Sequence, residues 1–203
     1  MGADTRFTAN YDRWMEPLER RWFGAIRAGL LRHAAGETLE IGCGTGVNFP
    51  YYPKDVHLTA IEPNASFRRK AELRAETLGR VVRISDAPAE RLPFPDGAFD
   101  TVVGTLVFCT IQGPAEALRE AARVCRPGGK LLLFEHVLHS NAALAALQHA
   151  LTPVWRRLCD GCRLNRDTER LVRETGWALE WKETHLGNVF VVLSAVRSGV
   201  EKG

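Results

Sequence analysis

The sequence predicts an α/β fold built on a doubly wound, mostly parallel sheet. Three observations carry this. Short apolar runs alternate with amphipathic segments from Gly36 to Val137. Two of those runs, FDTVVGTLVF and KLLLFEHV, are apolar almost throughout, as strands covered on both faces are. A glycine-rich turn, Gly42-x-Gly44-x-Gly46, directly follows the first run. Strands separated by helices imply right-handed crossovers and hence parallel neighbours.

Before the first strand, Trp14, Leu18, Trp22, Ile26 and Leu30 recur every fourth position, widened by Met15 and Phe23. This predicts an amphipathic helical cap. Glu16, Glu19, Arg20, Arg21 and Arg27 are expected on its polar face, and Pro17 near a helix start. TLEI and VHLTAIE read as the first two strands, and Asn64 to Gly79 as a helix with Asn64 as N-cap. VVRIS follows as strand three, FDTVVGTLVF as strand four, PAEALREAARVC as a helix closed by RPGG, and KLLLFEHV as strand five.

The remainder changes character. NAALAALQHALTPVWRRLC reads as a helix broken at Pro153, and RDTERLVRETG as a short helix ending at Gly176. WALEWKETH and NVFVVLSAV have no helix between them, which predicts an antiparallel hairpin. The expected organisation is one domain over 1–203. It comprises a helical cap at 1–35, a ligand-binding half at 36–137 and a distal part at 138–203.

The 203 residues are 45% hydrophobic and 25% charged, with a net charge of +3, which are ordinary globular values. No aromatic-interleaved basic stripe points to nucleic acid. No apolar run has the roughly 18–20 residues needed to cross a bilayer. The N-terminus lacks an apolar export core, and five cysteines is an odd number. Both favour a soluble chain in a reducing cytoplasm without stable membrane insertion.

The glycine spacing is not the G-x-G-x-x-G of dinucleotide sites, which argues against a nicotinamide oxidoreductase, and no Walker lysine follows. Glu40 ends the first strand and Glu62 ends the second, where an acid can accept from ribose hydroxyls. A helix after the glycine loop is expected to offer free N–H groups to a carboxylate. A ligand with a ribose and a carboxylate but no pyrophosphate is S-adenosylmethionine.

LEIGCGTG with AIEPN resembles the first two motifs of the class I methyltransferases. DAPAERLPFPDGAFDTVVG is similar to their third-strand acid and fourth-strand motif. The resemblance implies a Rossmann-like sheet of order 3-2-1-4-5-7-6. It implies that the cofactor is S-adenosylmethionine, released as S-adenosylhomocysteine. The implied cofactor site is Tyr11, Glu40, Gly42, Gly44, Gly46, Asn48, Glu62, Pro63, Asn64, Asp86, Ala87, Thr105 and Leu106. Within it Glu62 is expected on the ribose, Asp86 and Ala87 near the adenine, and the glycines around the methionine part. NYDRW is similar to the opening of quinone-biosynthesis-type relatives and implies that Tyr11 closes over the carboxylate end.

In such folds the acceptor lies beyond the carboxyl ends of strands four and five, near Thr105, Leu106, Phe108, Cys109, Glu135 and His136. Cys159-x-x-Cys162 lacks the second pair that a zinc ribbon needs, and His136-x-x-His139 lacks a third ligand, so no metal is expected. GTLVFCTI, FEHV and PVWRRLCDGCRLNRDT together resemble the alkyl-thiol S-methyltransferase branch, although the hydrophobic anchor of its mammalian members has no counterpart here. That resemblance implies a small-molecule methyl acceptor, a hydrophobic thiol foremost, and a catalytic set of His136, Asp160 and Arg166. Carbon methylation of a quinone precursor and nitrogen methylation of a lipid head group are the rival enzymatic readings. A regulatory module that binds S-adenosylmethionine without turnover is the non-enzymatic one.

Overall fold

The computed structural model of the chain describes residues 5–159 and 161–198. Five strands run parallel: β1 (Glu37–Ile41), β2 (His57–Ile61), β3 (Val82–Ser85), β4 (Phe99–Thr105) and β5 (Cys125–His136). β6 (Trp177–His185) and β7 (Phe190–Arg197) form the hairpin, and β7 inserts antiparallel between β5 and β6. The resulting order is β3-β2-β1-β4-β5-β7-β6.

Strand alternation divides the core into two layers. Val102, Leu131, Leu133 and Leu193 face one way, against α4 (Pro114–Val124) and Trp177. Val103, Leu132, Phe134 and Val192 face the other, against α2 (Gly24–Leu31) and α3 (Ala65–Thr77). Asn64 caps α3, its Oδ1 accepting from Ser66 N and Phe67 N.

The structure differs from several expectations. No α-helix follows the glycine loop; a single 3-10 turn, Phe49–Tyr51, stands there. Pro50 and Pro53 remove the N–H groups that a longer helix would need. The expected helix N-terminus for a ligand carboxylate is therefore not present. Pro17 sits near the end of α1 (Thr5–Leu18), not its start, and a π-helical turn, Glu19–Phe23, leads directly into α2. Pro153 does not break α5, which is continuous from Ala142 to Leu158. Arg27 is not on a solvent face but is 2% exposed. β5 begins at Cys125 rather than Lys130, with a register shift against β4 between Phe99 and Thr101. Among the described residues no helix is long and apolar enough to cross a membrane.

Candidate active site

β1 delivers the chain into a loop where Gly42, Gly44 and Gly46 all take positive φ, at 63°, 55° and 75°. The three do different work. A Cβ on Gly42 would lie 2.2 Å from Val107 Cγ2, and one on Gly46 would lie 2.6 Å from the Phe49 ring. Those two glycines admit close packing. A Cβ on Gly44 would meet nothing within 4 Å, because Gly44 faces a cavity. Glu62, just past the end of β2, fixes this loop: Gly44 N donates to its Oε2 and Asn64 N to its Oε1, each at 2.9 Å.

Beneath the loop lies a buried polar network. Glu40 accepts from Asn48 Nδ2 at 2.7 Å and from Tyr52 OH at 3.0 Å. Arg27 Nη1 donates to Asn48 Oδ1 at 2.8 Å and to Thr105 Oγ1 at 2.7 Å. Its Nε and Nη2 bind Glu19 of the π-helical turn at 3.0 and 2.9 Å. The cap, the glycine loop and the end of β4 are thus joined through one guanidinium. Burial pushes the Glu40 carboxyl up to about 7, against the hydrogen bonds of Asn48 and Tyr52 and the charge of Arg27.

Above the loop is a cavity of about 690 Å³. Of the residues singled out from sequence, Tyr11, Gly42, Gly44, Glu62, Pro63, Asn64, Thr105, Leu106 and His136 line it. Gly46, Glu40 and Asn48 support the loop from behind. Asp86 is exposed after β3 and Ala87 is buried in the core layer; the wall here is Pro88, Ala89 and Glu90. Asp160 lies outside the described residues. The cap closes one side, where Tyr11 packs edge-on against Phe67 at 5.3 Å. Asp12 accepts from Thr45 Oγ1 at 2.6 Å and pairs with Lys70 and Arg74 of α3.

At the far end β4 turns sharply at Leu106, whose φ of 54° is rare for a side chain of that size. Buried Glu135 holds the turn, its Oε1 accepting from Val107 N at 2.8 Å and Phe108 N at 2.9 Å. Arg166 does not line the cavity. Its Nη1 donates to the carbonyls of Phe108 and Ile111, the latter at 2.6 Å, so it positions the same turn. Arg163 N donates to Cys109 O at 3.0 Å, docking the segment after α5 onto it.

These staples bring Cys109, His136 and Cys162 together at the cavity wall. His136 Nε2 stands 2.9 Å from Cys162 Sγ. A hydrogen bond from Cys109, then one from His136, holds the Cys162 thiol well below its usual range. Burial pulls the His136 imidazole down, but its bond to Cys162 and the charge there outweigh that and raise it. His139 takes no part: it binds Gly187 O and Asn141 N. Sequence reasoning placed Cys109 at the acceptor side and flagged Cys162, but it did not join them; the long separation of the two segments concealed the contact. It placed Arg27 on the polar face of the cap and gave it no part in the site.

The family model described as "Methyltransferase domain" matches residues 39–133. The human thiol S-methyltransferase TMT1B is 39% identical over 170 residues, 79% of this chain and 68% of that protein. The human thiol S-methyltransferase TMT1A is 33% identical, covering 85% of this chain and 72% of that one. Geranyl diphosphate C-methyltransferase from Streptomyces coelicolor A3(2), solved with S-adenosyl-L-homocysteine, superposes with a TM-score of 0.65. It is 13% identical over 86% of this chain and 76% of that one, a likeness of fold alone.

The Glu40 environment generates a pH prediction. The groups facing Glu40 are Asn48, Tyr52, Arg27, Glu62 and Cys43. With its folded pKa raised from 4.5 to about 7, the folded chain binds this proton more tightly than the unfolded chain. The stability it brings is present below pH 4.5 and is lost as pH rises through 7. Glu40→Gln should remove that slope, worth at most about 3 kcal/mol. Unfolding midpoints from acid to neutral pH should decline more steeply for the parent; parallel curves would refute the assignment.

Proposed function

The chain belongs to the S-adenosylmethionine-dependent methyltransferases of the methyltransferase domain family, and we propose that its acceptor is a small hydrophobic thiol. The cavity fits the cofactor on two grounds. Gly44 leaves open space against the cavity where any side chain would intrude. Glu62, nearly buried and held by two backbone N–H groups, presents a carboxylate at the cavity wall beside Gly44.

On this reading Gly42 and Gly44 border the methionine part, Tyr11 covers its carboxylate end and Glu62 takes the ribose hydroxyls. The adenine falls against the turn after β3, where Asp86 and Ala87 lead into Pro88 and Ala89. Gly46, Glu40 and Asn48 act from behind by fixing the loop's shape. The bound cofactor supplies a methyl group on a sulfonium that is already activated for displacement. The chain's own task is to aim a nucleophile and exclude water.

The observation that carries the thiol reading is the composition of the acceptor end. Cys109, His136 and Cys162 meet there among Leu106, Trp155 and Phe190. Glu135, the nearby buried carboxylate, gives its Oε1 to two backbone N–H groups and does not line the cavity. Such a wall suits an apolar sulfur nucleophile, which needs little help from a base because a free thiol is already a few per cent ionised near neutral pH. The similarity of most of the chain to two thiol S-methyltransferases supports the same assignment. Arg166 serves as a positioning residue for the Phe108–Ile111 turn.

Two measurements test this. Glu62→Ala should raise the calorimetric Kd for S-adenosylhomocysteine by about tenfold or more, as loss of a charged hydrogen-bonding partner does. Unchanged affinity would remove Glu62 from the ribose. With methyl-labelled cofactor, alkyl thiols should yield labelled thioethers by mass spectrometry. Label appearing only on amines, phenols or quinols would overturn the acceptor class.

A further inference from the structure

We propose that Cys109, His136 and Cys162 form a three-ligand zinc site whose fourth position opens into the cavity and takes the acceptor sulfur. The inference rests on the thiol reading only for that last clause; the metal site stands on its own geometry.

The candidate ligand atoms of the three residues all lie within 4.8 Å of one another. A tetrahedral zinc with thiolate and imidazole ligands spaces them by roughly 3.4–3.8 Å. The observed separations bracket that spacing: His136 Nε2 and Cys162 Sγ, now 2.9 Å apart, would open by about half an ångström around an ion, and no pair exceeds 4.8 Å. All three are at least nine-tenths buried, at 2%, 8% and 9% exposure for Cys109, His136 and Cys162. Two sulfurs and one imidazole form the borderline-soft set that selects zinc over calcium or magnesium. Nε2 is the His136 nitrogen that faces Cys162 Sγ, at 2.9 Å, so it is the ligand atom; Nδ1 has no hydrogen-bond partner among the described residues.

The cluster is also pre-assembled. Cys109 sits on the turn clamped by Glu135, His136 ends β5, and Cys162 is carried by the segment that Arg163 N and Arg166 fasten to that same turn. Three residues distant in sequence are thus fixed before any ion arrives. Each lines the cavity that Gly44 and Glu62 also line. Three protein ligands with one open position is the pattern of reactive rather than structural zinc. Cys159 lines the cavity too, yet it lies outside the cluster, so it is not counted as a fourth ligand.

The balance of the step is simple. An acceptor thiol binds the open position as thiolate, its S–H bond breaking and the proton leaving to solvent. That sulfur then forms a bond to the methyl carbon. The donor's methyl–sulfur bond breaks, and its electron pair remains on the donor sulfur. No oxidant or reductant is needed, and the neutral thioether is a weak ligand that leaves the metal.

The test uses the full chain, stripped with chelator and reconstituted with zinc or with cobalt(II) as a coloured probe. Elemental analysis should find about one zinc per chain, and the cobalt form should show thiolate-to-metal charge transfer that shifts when hexanethiol is added. Cys109→Ser, Cys162→Ser and His136→Gln should each weaken zinc affinity by about tenfold or more, while Cys159→Ser leaves it unchanged. Calorimetric binding of S-adenosylhomocysteine shows which variants remain folded. Under about a tenth of a zinc per chain, or loss of affinity in Cys159→Ser alone, would overturn the site. A cobalt spectrum indifferent to thiol would overturn the role of the open position. Undiminished thioether formation by the stripped chain would sink the metal and leave the thiol reading standing. Bound zinc with methylation of amines alone would do the reverse.

Discussion

A buried guanidinium must have every donor answered, and the way Arg27 is answered organises this molecule. One side of it meets Glu19 in the π-helical turn; the other meets Asn48 under the glycine loop and Thr105 at the end of β4. Asn48 in turn holds Glu40 on the first strand. Removing one partner from a buried charge costs about 3–5 kcal/mol, so the register of cap, loop and sheet is strongly fixed. The outer helix α1 is tied differently, through Asp12, which is 38% exposed, to Lys70 and Arg74. Pairs of that kind contribute about 0–1 kcal/mol. The floor of the cavity is joined by buried hydrogen bonds, and its cover by part-exposed ion pairs together with the Tyr11–Phe67 contact.

The two ends of the cavity answer different demands. The glycine end needs backbone that can approach a ligand, and it obtains this from positive φ angles that only glycine adopts without strain. At the other end side chains are held in fixed relation by a strained turn at Leu106 clamped by Glu135 and Arg166. The fold itself is shared with an enzyme that methylates carbon. On the proposed reading the choice of acceptor is made at the second end, since a fold does not set its chemistry.

Much of this could be read from the chain alone, for physical reasons that also mark the boundary of such reading. Strands buried on both faces have to be apolar along their length, so β4 and β5 announce themselves. The hairpin of β6 and β7 follows from two strands with no room for a crossover. The place of Glu62 against the glycine loop was legible because it follows a strand that ends beside that loop. Arg27 was not: helical periodicity assigns a charge to the solvent face, and only the tertiary partners Glu19, Asn48 and Thr105 reverse that. Prolines misled in both directions. Pro50 and Pro53 prevent a helix where the topology suggested one, whereas α5 carries Pro153 without a break. The Cys109–His136–Cys162 cluster joins a turn, a strand end and a loop from three parts of the chain. No local pattern encodes such a meeting.

The most direct test is the crystal structure of this chain with S-adenosylhomocysteine. The account predicts the ribose at Glu62 and the adenine against Pro88 and Ala89. The sulfur should face Cys109, His136 and Cys162, leaving room for one thiol sulfur between them, about 3–3.5 Å from where the methyl carbon would lie. A ligand bound with its sulfur turned away from that cluster, or bound outside this cavity, would contradict it.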